Sequence, residues 1–281
     1  HKLNKVNFDF LMDNSIMNFQ MFRLIIINFF IILYSAQSHS ELRIDITQGN
    51  TEPIPVALVP FETKNSKEVT ISSDITKVIS NNLQRSGLFS MLPKKIFLTE
   101  TLKFDSKPSF SDWKITTAQG LIHGDLSLSG EKLNIKFRLW DVFSEKQMVA
   151  QQLTTEVNNW RRIAHVISDI IYKRITGESG YFDSRIVYIS ESGPKNNRKK
   201  RLAIIDQDGE NHKFLTDGSY LALTPRFSPA AQEVAYLSYN NTIPRIFLLD
   251  LNTGLQKILG DFPGMTFSPR YSPDGKKLVM S

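Results

Sequence analysis

The sequence predicts an α/β N-terminal domain, two main helices on a small mixed sheet, followed by a partial all-β propeller of about two blades plus one strand. Three observations carry this. Ile71–Leu83 and Ile163–Ile175 place apolar residues at helical spacing. Leu133, Ile135, Phe137 and Leu139 alternate with Asn134, Lys136 and Arg138, the pattern of a half-buried strand. From residue 181 the helical period ends and a repeat of 44 residues takes over.

Composition sets the outer bounds. The 281 residues are 41% hydrophobic and 11% aromatic, enough for a packed core. The chain has no cysteine, which excludes a disulfide scaffold, a Cys-ligated zinc site and a thiol nucleophile. Its five histidines include no pair at helical spacing. The net charge of +6 is spread along the chain and does not by itself indicate nucleic-acid binding.

The N-terminal forty residues read as lying outside the fold. Leu24–Tyr34 is a mostly apolar run behind Arg23, too short for a bilayer, and small residues follow it at Ser35–Ser40. A basic residue, a short apolar core and small residues at −3 and −1 predict a secretory signal at 21–40, cleaved between Ser40 and Glu41 or after Ser38. Residues 1–20 are then an upstream extension, with translation starting at Met17 or Met21. The processed chain carries 31 basic and 26 acidic residues and has no membrane span.

The α/β domain is predicted over 41–178. Pro55–Phe61 is a short apolar run bounded by prolines and reads as a buried strand. The first helix ends at Gly87 after Arg85 and Ser86, with Leu88-Phe89 as the apolar contact that follows such a stop. Gly120–Leu128 turns through Ser129-Gly130-Glu131 into the alternating strand, a hairpin. Asn158 or Asn159 caps the second helix and Gly177 stops it. No phosphate-binding glycine loop, Gly-x-Ser-x-Gly or HExxH occurs.

The propeller region is predicted over 181–281. Arg201–Asp206 recurs as Arg245–Asp250, and Thr224-Pro-Arg-Phe-Ser-Pro229 as Ser268-Pro-Arg-Tyr-Ser-Pro273. Four strands per repeat, punctuated by Asp-Gly, Asn-Thr-Gly and Ser-Pro-Asp-Gly turns, fit a propeller blade. The expectation is two four-stranded sheets face to face, with a last strand unpaired.

Other motifs read as structural. Asp206–Glu210 resembles the start of a calcium loop but lacks the downstream glutamate, so a hairpin turn is the better account. Lys195–Arg201 is basic without interleaved aromatics and reads as a solvated loop tip. His123, within an alternating strand, reads as a core histidine. Ser272–Gly275 is a turn. No catalytic, cofactor-binding or metal residues are assigned.

The exported chain, the first helix closing on Arg85-Ser-Gly-Leu-Phe89, and the Pro-x-Phe/Tyr-Ser-Pro repeats together resemble the TolB family of the Tol-Pal envelope system. Glu41-Leu-Arg-Ile44, Trp160-Arg-Arg162 and Ile175-Thr-Gly177 add to the resemblance, which covers 41–281. Ala230-Ala231, where the family repeat has Asp-Gly, departs from it. The resemblance implies a six-bladed propeller, so that the sequence ends inside a third blade and is C-terminally truncated. It implies a non-catalytic periplasmic adaptor that binds the lipoprotein Pal and the C-terminal domain of TolA. That adaptor maintains outer-membrane integrity and constriction during division, without nucleic acid or small-molecule substrate. The TolA contact falls on Glu41, Leu42, Arg43, Ile44, Asp45 and Ile46, whose alternation fits strand addition to a partner sheet. The Pal contact falls on the loops entering the Ser-Pro strands: Tyr220 and Leu221 in one repeat, Met265, Thr266, Phe267 and Ser268 in the next. The competing class is a propeller attached to a secreted hydrolase whose catalytic domain lies beyond residue 281.

Overall fold

A computed structural model describes residues 42–43, 52–99, 102–240, 243–260 and 267–281. The signal segment, Ser40 and Glu41, the strand residues Ile44, Asp45 and Ile46, and Met265 and Thr266 lie outside the described residues.

The first domain is built on β1 (Ile54–Leu58), α1 (Ser66–Arg85), β2 (Phe89–Met91), α2 (Phe110–Ile115), β3 (Gly120–Ser129), β4 (Lys132–Asp141), β5 (Lys146–Glu156) and α3 (Trp160–Thr176). Its five-stranded sheet has the order β2-β1-β3-β4-β5. β1 runs parallel to β2 and β3, whereas β3, β4 and β5 pair antiparallel, so the sheet is mixed as expected. The proline-bounded run is apolar throughout because β1 is covered on both faces. Val56 and Leu58 face α1 and α3 together with Ile79, Leu83, Ile167 and Ile171. Ala57 and Val59 face the opposite way, against Phe110, Trp113 and Trp140.

The helix stops fall where the sequence placed them. Asn65 caps α1 through a 3.0 Å bond from the Glu68 N–H. Gly87 turns out of α1 at φ +76°, and Gly177 out of α3 at φ +80°, a conformation glycine adopts without a Cβ penalty. The short α2 has no counterpart in the sequence reading. It covers the sheet face that the two long helices leave open.

Residues 177–184 then bind to the first domain. Phe182 is fully buried against Tyr172, and Asp169 accepts hydrogen bonds from the Phe182 and Asp183 backbones at 2.8 and 3.0 Å. Three antiparallel sheets follow. The first contains β6 (Arg185–Ser192), β7 (Lys199–Asp206) and β8 (Lys213–Phe214). The second contains β9 (Ala222–Phe227), β10 (Glu233–Asn240), β11 (Ile243–Asp250) and β12 (Gln256–Ile258). The third pairs β13 (Arg270–Tyr271) with β14 (Leu278–Val279).

This corrects the expected strand count: among the described residues the first sheet has three strands, the second four, and the third is a hairpin. The strand equivalent to β9 requires the Ser/Thr-Pro-Arg-aromatic-Ser-Pro sequence, which is absent before Arg185. The chain there is occupied instead in fastening to α3. The sheets pack face to face as predicted: Val187, Ile189 and Leu202 meet Val234, Tyr236 and Phe247.

Candidate partner-binding surfaces

At the N-terminal surface, the Leu42 N–H donates to Asp141 Oδ2 at 3.0 Å, and the Leu42 side chain packs half-buried on the core beside Gly120. Arg43 is exposed and lies against Gly177. The segment thus meets the domain where β3 begins, β4 ends and α3 stops.

At the propeller surface, Tyr220 is 51% exposed and Leu221 38% exposed, whereas the next residue, Ala222, is buried. Tyr220 also borders a cavity of about 310 Å³ whose walls include Tyr236, Phe247 and Gln256. One repeat later, Phe267 is half-buried on Ala235, Leu237, Ile246 and Leu248, and its N–H donates to the Ser281 carbonyl at 2.7 Å. Phe267 is therefore packed between sheets and only partly exposed. Ser268 is exposed. Thr224 and Ser268 occupy the same place in successive repeats, with φ +45° and +50°, and each precedes a proline. The same left-handed step thus falls directly ahead of each proline, inside β9 at Thr224 and just ahead of β13 at Ser268.

The junction joins α1 and α3 to the turn after β7. Arg161 Nε donates to Asp206 Oδ2 at 3.1 Å, and its Nη2 donates to Asp208. Arg85 Nη2 donates to Gln207 Oε1 at 2.8 Å. Beneath them lies His165, 2% exposed, with Nε2 3.8 Å from Asp206 and 4.0 Å from Asp208. Burial pushes the Asp206 carboxyl up, but His165 and Arg161 outweigh it and hold it below its ordinary range.

Donor atoms of His165, Asp206 and Asp208 lie within 4.8 Å of one another, close enough to consider a metal ion. The hydrogen bonding argues otherwise. Asn82 Nδ2 donates to Ser168 Oγ at 3.0 Å and to His165 Nδ1 at 2.9 Å, while its Oδ1 accepts from Arg85 at 3.1 Å. That orientation leaves Nδ1 accepting, so the ring hydrogen sits on Nε2, which then has no lone pair for a metal. Arg161 already supplies the positive charge. Asp206–Glu210 is a turn, as expected, but one whose carboxylates fasten two domains. No sequence signal marked that role, because an Asp-x-Asp-Gly turn looks the same with or without an arginine facing it.

His123 is fully buried and accepts from Trp140 Nε1 at 3.0 Å, consistent with a core role. Of the basic segment Lys195–Arg201, residues 195–198 form an exposed turn and Lys199, Lys200 and Arg201 lie in β7; Arg198 and Lys200 both pair with Glu191.

An α/β module fastened to face-packed antiparallel sheets that repeat a Ser-Pro motif defines a propeller-bearing protein. A family model described as the TolB amino-terminal domain matches residues 42–148, and one described as the TolB beta propeller domain matches 172–281. The chain belongs to the TolB family. It is 49% identical over 231 residues to a Tol-Pal system protein TolB of Paramagnetospirillum magneticum, covering 82% of this chain and 52% of that protein. It is 50% identical over 246 residues to a protein of the same name from Pelagibacter ubique, covering 84% and 55%. The crystal structure of TolB from Acinetobacter baumannii matches with a TM-score of 0.67 at 26% identity, over 85% of this chain and 57% of that one. The chain spans about half the length of the curated relatives it matches.

Proposed function

We propose that this chain acts as a non-catalytic periplasmic adaptor of the Tol-Pal system. It links the lipoprotein Pal at the outer membrane with TolA from the inner membrane, and so supports envelope integrity and constriction during division. Family membership supports the Tol-Pal role, and among the described residues no helix is long and apolar enough to cross a membrane. In this reading a signal at 21–40 exports the chain, and the segment Glu41–Ile46 is the TolA ligand, added as a strand to a TolA sheet.

Pal docks on the loop face of the propeller. The observation that carries this part is the exposed pair Tyr220-Leu221 beside a cavity walled by Tyr236 and Phe247, an aromatic anchor next to a pocket. Met265 and Thr266 contribute the equivalent loop of the next repeat. Calorimetric titration of Pal into the full-length protein tests the assignment. Tyr220→Asp and Met265→Asp each weaken Pal binding about tenfold or more without lowering the melting temperature. An unchanged dissociation constant in both variants removes this face from the account.

A further inference from the structure

β5 is an open edge. It is the last strand of the β2-β1-β3-β4-β5 sheet, and among the described residues no strand pairs with its outer side. It runs eleven residues with no proline, and its only charges are at its ends, Lys146 and Glu156. Solvent-facing edges are ordinarily blocked by central charges, prolines or short length, and β5 has none of these.

The direction of its free backbone groups follows from the ladder. The Val157 N–H donates to the Glu131 carbonyl at 2.9 Å, and β5 pairs with β4 in the same register up to Val149. Antiparallel pairs alternate, so Val149, Gln151, Leu153 and Thr155 turn their backbone groups to β4. Ala150, Gln152, Thr154 and Glu156 turn theirs outward. Arg174 Nε donates to the Met148 carbonyl at 3.1 Å, which closes the edge at one end and leaves Ala150–Glu156 open.

Beside this edge lies a groove of about 590 Å³ between β5 and α3. Val149 and Ile170 give it an apolar floor, and Arg43, Lys173 and Arg174 a basic rim, with no carboxylate among the described residues that line it. A strand laid along β5 would set every second side chain into this groove. We propose that the β5 edge and its basic groove receive an extended acidic segment of another protein, bound as a sixth strand with carboxylates at alternate positions facing Lys173 and Arg43. A second copy of this chain fits less well. Antiparallel self-pairing centred on Gln151 would bring Lys173 of both copies together, and β5 has no acidic residue near its middle to offset them.

The test uses a synthetic peptide of about eight residues alternating threonine and glutamate, with a threonine–lysine peptide as control. The glutamate peptide binds about tenfold or more tighter than the control and slows hydrogen exchange at the Ala150, Gln152 and Thr154 amides. Gln152→Pro removes an outward N–H without touching the β4 ladder and abolishes both effects. Lys173→Glu, on the surface of α3, lowers affinity for the glutamate peptide by about tenfold and raises it for the lysine peptide. Equal binding of the two peptides, or unchanged binding in both variants, overturns the proposal. So does protection of these amides without peptide that is lost on dilution or on deletion of residues 41–50, which would assign the edge to a second copy or to the chain's own N-terminal segment.

Discussion

Arg161 Nε lies 3.1 Å from Asp206 Oδ2, and this contact joins the last helix of the α/β domain to the first propeller sheet. Both side chains are largely buried, at 18% and 10% exposure, so removing one leaves the other partly desolvated and unpaired. Arg161→Ala should cost about 1–3 kcal/mol, and the double variant with Asp206→Asn less than the two single costs combined. Urea unfolding of the four proteins in the cycle measures this. Strictly additive losses would mean that the contact fastens nothing.

His123 sets a pH dependence. Burial and the neighbouring Arg138 charge lower its pKa to about 4, against a partial opposing pull from Glu62. Between about 6.5 and 4 the unfolded chain takes up a proton that the folded chain refuses, so stability falls as the pH drops through that window. The full effect is about 3 kcal/mol. In His123→Gln the unfolding free energy should vary less between pH 7 and pH 5 than in the parent. An identical slope in both proteins would place the titration elsewhere.

Gly180 tests whether the linker is a rigid part of the first domain. A Cβ there would stand 2.1 Å from Asp169 Oδ1 and 2.6 Å from its Cα, in the carboxylate that caps Phe182 and Asp183. Gly180→Ala should therefore destabilise by about 1–3 kcal/mol and expose Phe182. Proteolysis between 177 and 184 reads the loosening directly. Unchanged stability and cleavage would make the linker a passive tether.

The elements that read clearly in the sequence are those whose packing imposes a period. α1 buries a stripe of Ile75, Ile79 and Leu83, α3 one of Ile163, Ile167, Ile171 and Ile175, and β4 buries alternate residues, so their burial is written in the spacing. The 44-residue repeat does the same for β9–β12. α2 escaped because six residues complete fewer than two turns, and its burial rests on Phe110 and Trp113 alone. The missing fourth strand of the first sheet was legible only as the absence of a Ser-Pro motif before Arg185. Phe267 packs on Ala235 and Leu237, about thirty residues away, and one-dimensional pattern does not carry such pairings. The Arg161–Asp206 junction was hidden for the same reason.

In the proposed function the chain reaches TolA through its N-terminal strand and Pal through its propeller. Calorimetric titration of the TolA C-terminal domain into the protein beginning at Glu41, and into a version beginning at Gln48, tests it most directly. The expected result is binding to the first and none to the second, with Pal affinity the same for both. Equal TolA affinities would contradict it and move the TolA contact onto the α/β domain itself.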